Sequence, residues 1–239
     1  MEQIKSELVS LRLSGMAEAL KTLQEGRKIH ELTLTDGLRL LVQAERDQRE
    51  ANRYKRLVKN ASFRYRASLE ELSFDTARGL DRTQILSLAN GSYIRDAGSI
   101  LITGATGCGK SFVATALGHQ ACRQGFSVIY YGMQKLMAKL KVARLEGVAI
   151  RFFEKLAKTD LLIIDDFGIG TMDLQQQLDF MEIIEDRHAR KSTIISSQLP
   201  PVDWFDLFTD ETVADAFIDR VIHTGHRIEL KGDSLRKKR

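Results

Sequence analysis

A glycine-rich loop between an apolar run and a helical pattern carries the strongest chemical signal in the sequence. The stretch ILITGATGCGKS matches the pattern G-x-x-x-x-G-K-[ST]. Glycines are needed there because backbone N–H groups must turn inward to hold phosphate oxygens. Lys110 supplies a cation for the β- and γ-phosphates, and the Ser111 hydroxyl supplies a ligand for Mg²⁺. The loop predicts a nucleoside triphosphate site formed by Gly104, Ala105, Thr106, Gly107, Cys108, Gly109, Lys110, Ser111 and Phe112.

Two later runs end in polar side chains that suit the same chemistry. The run LLIIDD ends in Asp165, expected to hold Mg²⁺ through water, and Asp166, expected to polarise an attacking water. The run STIISSQ ends at Gln198, whose amide is suited to orienting that water. The alternatives are that the carboxylates only cap the turn FGIG, and that Gln198 belongs to an ordinary turn before Pro200.

These motifs sit in an alternating pattern of strands and helices that begins at Ser99. The short apolar runs are SILITG, SVIYYG, DLLIIDD, STIISSQ and RIEL. Continuous apolar strands separated by helices are typical of a parallel sheet covered on both faces. The sequence therefore predicts an α/β domain in which a five-stranded parallel sheet is sandwiched by helices.

The patterns divide the chain into three predicted regions. Residues 1–66 are expected to form a small helical domain that contacts DNA or a partner, with its second helix starting at Gly37 or Leu38. Residues 67–98 are expected to form a connector that also holds the nucleotide base. Residues 99–239 are expected to form the nucleotide-binding domain.

The composition of the chain indicates its cellular location and the kind of partner that it binds. The net charge is +4, a mildly basic balance that favours a nucleic-acid partner. The two cysteines, Cys108 and Cys122, form no disulfide framework, so a cytoplasmic location is expected. No apolar run approaches the roughly 20 residues that span a bilayer, and the start of the chain is not typical of a signal peptide. We therefore expect no membrane partner.

With these motifs placed, the chain resembles the IstB-type helper ATPases of insertion-sequence transposition, which are relatives of the DnaC helicase loaders within the AAA+ ATPases. The resemblance is carried by LRLSGMAEAL, LEELSFD followed by LDRTQI, GATGCGKS, DLLIIDDFG, SSQLPP and DAFIDRVIHTGHRIELKGDSLRKK. It implies an AAA+ P-loop fold and an oligomer whose sites lie between subunits. It assigns sensor-1 to Gln198, a trans-acting arginine finger to Arg220, and a sensor-2 role to Arg236. The alternatives are a surface salt bridge of Arg220 with Asp215 or Asp219, and a solvated basic tail at Arg236.

Two departures from the AAA+ pattern change what the resemblance implies. Asp166 stands where most AAA+ proteins carry glutamate, so hydrolysis is expected to be slow or to need an activating partner. Nine residues follow Leu230, so no C-terminal lid domain is expected. The N-terminal helices are expected to supply part of the packing that a lid would give.

Two basic clusters are expected to bind DNA phosphates. Each phosphate that is neutralised releases counterions and adds affinity without reading sequence, so we expect largely nonspecific duplex binding. The clusters are Lys135, Lys139, Lys141, Arg144 and Arg151, and, nearer the N-terminus, Arg53, Lys55, Arg56 and Lys59. The alternative for each is a solvated helix face. Phe63 and Tyr65 alternate with arginines, which suits either stacking on a single strand or packing in the core.

The expected function is that of a Mg²⁺-dependent ATPase. With ATP it would assemble as a multi-subunit ring or spiral on duplex DNA, deform the DNA, and recruit or activate the transposase encoded with it. Hydrolysis would then reset the assembly. The alternative is a helicase loader, which would prefer single-stranded DNA and bind a helicase. A small-molecule kinase would share the phosphate loop but need an acceptor pocket.

Overall fold

The computed structural model describes residues 2–26, 32–222 and 225–235 and divides the chain into two compact units. The first unit covers residues 1–56 and the second residues 57–239. Arg236 and the other residues outside the described ranges receive no structural account. No helix within those ranges combines the length and apolarity that a bilayer crossing needs.

The first unit consists of helices. They are α1 (Glu2–Ser10), α2 (Ser14–Glu25) and most of α3 (Leu34–Ala61), whose last residues belong to the second unit. The buried Glu45 carboxylate on α3 accepts hydrogen bonds from the backbone N–H groups of Gly15 (2.8 Å) and Met16 (3.2 Å). A carboxylate at a helix N-terminus satisfies donors that have no partner within the helix. The side chain of Glu45 thereby fixes the start of α2 on α3.

Helix α3 begins earlier than the sequence predicts. The hydroxyl of Thr33 accepts a hydrogen bond from the backbone N–H of Asp36 at 3.2 Å. This capping interaction starts the helix at Leu34 rather than at Gly37 or Leu38. The predicted start was therefore three or four residues too late.

The second unit is built on a five-stranded sheet in the order β2-β3-β4-β1-β5, with every pairing parallel. The strands are β1 (Ser99–Gly104), β2 (Val128–Gly132), β3 (Leu161–Phe167), β4 (Ser192–Ser197) and β5 (Gly225–Leu230). The helices are α4 (Arg82–Ala89), α5 (Ser92–Arg95), α6 (Lys110–Arg123), α7 (Met133–Leu145), α8 (Ala149–Lys158), α9 (Leu174–Arg187) and α10 (Glu211–Ile222). The predicted parallel α/β sheet is confirmed.

Alternation along β3 separates the two faces of the sheet. Ile163 lies against α6, because a Cβ on Gly118 would come within 2.8 Å of its Cδ1 atom. Leu162 and Ile164 belong to the opposite core, which α7 to α10 cover. In that core, residues Phe167, Phe180, Trp204, Phe208 and Phe217 form an aromatic cluster. Because side chains of a strand alternate between faces, Asp165 lies on the α6 side with Ile163.

Candidate nucleotide site

The phosphate-loop residues lie between the end of β1 and the start of α6. Gly104, Gly107 and Gly109 have φ angles of 141°, 83° and 108°, which other residues rarely adopt. A Cβ on Gly104 would lie 2.1 Å from the carbonyl oxygen of Leu230. Glycine is therefore required there both by the backbone angle and by the closeness of β5. The first backbone N–H groups of α6 point to the loop, as an anion site requires.

Lys110 is almost fully buried at the centre of the loop. Its Nζ atom donates to the carbonyl oxygens of Gly104 (2.7 Å) and Ala105 (2.8 Å). A buried cation is stabilised when its donors are satisfied, and phosphate oxygens are stronger acceptors than carbonyls. The loop thus holds the ammonium in place for an anionic ligand.

Ser111 and Asp165 form the part of the site suited to a metal, which we call the metal half. The Ser111 hydroxyl donates to Asp165 Oδ1 at 3.0 Å. The fully buried Asp165 carboxylate also accepts from the hydroxyls of Ser196 on β4 and Tyr130 on β2. Burial and the bond to Asp165 raise the pKa of Tyr130 well above its ordinary value, so this hydroxyl remains a donor.

The donor set of the metal half fits Mg²⁺. A hydroxyl and a carboxylate oxygen at the edge of a phosphate loop are the hard oxygen ligands that this cation takes, with water and phosphate oxygens completing its shell. Across the described part of the chain, no group of three or more His, Cys, Asp or Glu side chains is placed to bind a metal by itself.

Asp166 and Gln198 lie at the ends of adjacent strands and form what we call the water half. The register between β3 and β4 shifts between Ile164 and Phe167, so β3 carries a bulge there. Asp166, with φ of 59°, lies in the bulge, and such a bulge redirects a side chain from the regular alternation. The Gln198 Oε1 atom accepts from the Thr106 hydroxyl at 2.6 Å and so ties the end of β4 to the phosphate loop.

Arg220 occupies a different environment from the loop residues. Its guanidinium forms an ion pair with Glu185 of α9 and donates to the carbonyl oxygen of Ala216 at 3.0 Å. The Arg220 side chain is 27% exposed. The surface-pair alternative named Asp215 or Asp219, whereas the carboxylate found within ion-pair distance is Glu185. Arg236, assigned to sensor-2, lies outside the described residues.

The C-terminal segment, next in sequence to Arg236 with its sensor-2 assignment, lies against the phosphate loop. The backbone N–H of Leu235 donates to the Gly107 carbonyl oxygen at 3.0 Å. A Cβ on Gly107 would lie 2.2 Å from the hydroxyl oxygen of Ser234. The connector approaches the same segment, since Arg78 Nη2 donates to the Asp233 carbonyl oxygen at 2.8 Å. Contacts between residues so far apart in the chain leave no local pattern.

The basic residues predicted to bind DNA are exposed. They are Lys135, Lys139, Lys141, Arg144 and Arg151, and Arg53, Lys55, Arg56 and Lys59. Arg144 is also engaged within the domain, because its guanidinium forms a bidentate ion pair with the buried carboxylate of Asp179, including a 2.9 Å bond from Nε. The Nζ atom of Lys139 lies 5.1 Å from the centre of the Tyr131 ring.

A parallel sheet of this order, a lysine-bearing phosphate loop after β1 and an acidic end of β3 define the class of P-loop nucleotide-binding proteins. The sequence profile of the family described as IstB-like ATP binding protein matches residues 6–239, and the chain belongs to that family. It is 38% identical over 231 residues to an insertion-sequence ATP-binding protein of Sinorhizobium fredii, covering 97% of this chain and 94% of that protein. It is 42% identical over 196 residues to the IS1162 ATP-binding protein of Pseudomonas fluorescens, covering 82% and 85%.

Solved structures share the fold. The DnaC helicase loader superposes with a TM-score of 0.55 at 16% identity, covering 74% of this chain and 99% of that one. DnaA from Aquifex aeolicus bound to AMPPCP gives a TM-score of 0.60 at 21% identity, covering 74% and 54%. The recognition of an IstB-type protein is confirmed, and the DnaC and DnaA structures share its fold.

Proposed function

We propose that the protein is a Mg²⁺-dependent ATPase of insertion-sequence transposition. The observation that carries this proposal is the Ser111–Asp165 hydrogen bond of 3.0 Å beside the phosphate loop. Hydroxyl and carboxylate together hold the cation that bridges the phosphates in P-loop enzymes. Mg²⁺ would supply charge neutralisation at the β- and γ-phosphates, and Lys110 would supply a second cation there.

The water half supports hydrolysis rather than binding alone. Asp166 would accept the proton of the attacking water, and the Gln198 amide would hold that water in line. The Thr106–Gln198 hydrogen bond links Gln198 to the loop that holds the phosphates. Asp166 carries one methylene less than the usual glutamate, so we expect slow turnover by the protein alone.

Arg220 would act on the nucleotide of a neighbouring subunit. Its ion-pair partner in its own chain is Glu185 on α9, so the guanidinium is held on the outer helices by a partly exposed carboxylate. A finger supplied by a neighbour contributes about 10³-fold or more to the rate and makes hydrolysis depend on assembly. ATP would then stabilise the assembly, and hydrolysis would reset it.

Duplex DNA is the proposed macromolecular ligand. The relatives bear names of insertion sequences, which supports a role beside a transposase. Exposed lysines on α7 and exposed cations on α3 would neutralise DNA phosphates. Bending a short duplex costs on the order of several kcal/mol, so contacts from many subunits are needed to offset it. The deformed DNA would then recruit or activate the transposase.

A helicase loader is the second candidate. The fold of this chain is similar to that of the DnaC helicase loader, and the similarity covers 99% of the DnaC chain. At 16% identity that likeness establishes the fold and leaves the partner to experiment.

Sedimentation with DNA distinguishes the two candidates. The protein would be titrated onto random-sequence duplex and onto a single strand of equal length, with ATP, with ADP and without nucleotide, at two salt concentrations. Large complexes on the duplex that require ATP and weaken with salt are expected. Lys110→Ala should lose them, while Lys158→Ala, which removes an exposed lysine paired with Glu154, should retain them. Binding to the single strand alone would favour the loader.

A further inference from the structure

The residues that follow α3 reach into the nucleotide site. We call Ser62–Arg66 the arm. The Phe63 ring stacks on His119 of α6 with centroids 4.3 Å apart and meets the edge of Tyr130 at 6.3 Å. Gly118 makes room for it, because a Cβ there would lie 2.7 Å from the Phe63 ring. Phe63 therefore anchors the arm on α6, and this packing favours the core alternative for its ring over stacking on a DNA strand.

A second anchor follows two residues later. The ring of Tyr65 stacks on Phe112 with centroids 6.3 Å apart. Burial and the charge of Asp165 raise the pKa of Tyr65, and hydrogen bonding to the nearby Thr115 and Ser111 side chains opposes that rise. Tyr65 thus touches the residue that would bind the metal.

Arg64 lies between these anchors and faces the water half. Its Nη1 atom is 3.8 Å from Asp166 Oδ2. The side chains of Arg64 and Asp166 are 62% and 40% exposed. An ion pair so exposed changes an equilibrium by no more than about five-fold, so another anion can replace the Asp166 carboxylate at the guanidinium.

We propose that Arg64 is a positioning residue that holds the Asp166 carboxylate in an ion pair until the phosphates of duplex DNA take the guanidinium. Asp166 is then able to turn to the attacking water. The exposed cations Lys59 and Arg66 flank Arg64 in the chain, so DNA phosphates drawn to them come close to Arg64. A phosphodiester and a carboxylate compete for one guanidinium because both are oxyanions. This inference rests on the proposed roles of Asp166 and of duplex DNA.

Steady-state ATP hydrolysis gives the first test. Arg64→Ala should raise kcat without DNA several-fold, with KM unchanged, and should lose most of the stimulation by duplex DNA. Arg64→Lys should behave nearly as wild type. Arg123→Ala removes another exposed arginine–carboxylate pair, with Glu70 at 3.2 Å, and should change neither quantity. A fall in kcat in Arg64→Ala would overturn the proposal, since a merely structural role predicts loss and not gain.

Duplex affinity without nucleotide gives a test that needs no hydrolysis. Coupling is reciprocal, so releasing Arg64 from Asp166 should strengthen DNA binding. Asp166→Asn should lower the Kd for duplex by up to about five-fold in the wild-type background and should give a smaller gain in the Arg64→Ala background. Equal gains in both backgrounds, or no duplex binding, would overturn the inference. If no variant hydrolyses ATP while the unequal gains are found, the proposed ATPase activity fails and the Arg64–Asp166 coupling stands.

Discussion

The metal half and the water half of the site differ in how firmly the protein holds them. In the metal half, Asp165 is fully buried and accepts from three hydroxyls on three separate elements. In the water half, Asp166 is 40% exposed, and its ion pair with Arg64 spans 3.8 Å. Asp165 and Asp166 are adjacent in sequence, yet one carboxylate is buried and firmly hydrogen-bonded and the other is partly exposed and loosely paired. The protein therefore holds the side chains of the metal half in place without a ligand, whereas the Asp166 carboxylate of the water half can change its orientation.

The bulge in β3 produces this contrast. Asp165 still follows the alternation that directs Ile163 to α6, whereas Asp166 adopts a left-handed backbone angle. A non-glycine residue in that region costs free energy, and such strain collects at sites where a side chain must be aimed. The carboxylate proposed to activate water thus carries strain and exposure, whereas the carboxylate proposed to bind the metal is held by three donors.

The largest expected effect is a loss of kcat when Lys110 of the phosphate loop, or the Arg220 that a neighbouring subunit would supply to the site, is removed. Lys110→Ala and Arg220→Ala should each lower kcat by about 10³-fold or more. An equimolar mixture of the two should recover part of the rate, because a Lys110→Ala subunit can donate Arg220 to the intact loop of an Arg220→Ala subunit. Steady-state hydrolysis at constant total protein measures this. No recovery at any ratio would show that Arg220 acts within its own chain.

Stability should separate the two aspartates. Asp165→Ala leaves three hydroxyl donors without their acceptor and should lower the free energy of unfolding by about 2–3 kcal/mol. Asp166→Gly relieves the strain of the left-handed backbone angle and should raise the free energy of unfolding by up to about 1 kcal/mol, while abolishing hydrolysis. Urea unfolding without nucleotide measures both. If Asp165→Ala cost no more than Asp166→Gly, the metal half would not be preformed.

The anchor of the arm can be tested at Gly118. Gly118→Ala places a Cβ 2.7 Å from the Phe63 ring and 2.8 Å from Ile163, and should cost about 1–3 kcal/mol of stability. The matched control is Gly132→Ala, where nothing lies within 4 Å of the added atom. That control should change stability by less than about 0.5 kcal/mol. Equal effects in thermal or urea unfolding would show that Phe63 is not held against α6.

The smallest effect concerns Asp160, a carboxylate just before β3, at the opposite end from the site. Burial acts to raise its pKa, but hydrogen bonds from Lys191 and Ser127 outweigh burial and hold the pKa below its ordinary value of 3.8. Asp160→Asn should therefore cost about 1 kcal/mol near neutral pH, a difference that disappears as pH falls through the lowered pKa. Urea unfolding between about pH 3 and pH 7 measures it. Asp206→Asn on the exposed surface is the control, and a difference that grew on acidification would contradict this assignment.

The sequence predicted what short-range patterns encode. The phosphate loop and the LLIIDD strand were placed because each motif is continuous and needs only its neighbouring strand and helix. Strands β1, β2 and β3 were found because their central residues are continuously apolar, and β5 was found although only Ile228 and Leu230 of it are buried. The site roles of Asp166, Gln198 and Arg220 remain predictions; the mixing experiment addresses Arg220, and hydrolysis by Asp166→Gly addresses Asp166.

What the sequence could not indicate depends on distant contacts. Tyr130 and Ser196 meet Asp165 only once three strands pair, and Ser234 meets Gly107 only when the chain returns from β5. The bulge at Asp166 is a register shift against β4, which no residue of β3 reveals alone. The sequence did not distinguish Arg144 from the nearby lysines, because Asp179, its ion-pair partner, lies on another helix.

The aromatic core supplies a spectroscopic reporter of the water half. The chain has a single tryptophan, Trp204, which is fully buried. Its indole nitrogen donates to the Leu199 carbonyl oxygen at 3.1 Å, one residue after Gln198, and its ring lies 4.9 Å from Phe167, one residue after Asp166. Any rearrangement of either strand end changes the surroundings of this one fluorophore. The intrinsic fluorescence of Trp204 would therefore report nucleotide binding and hydrolysis in the unlabelled protein.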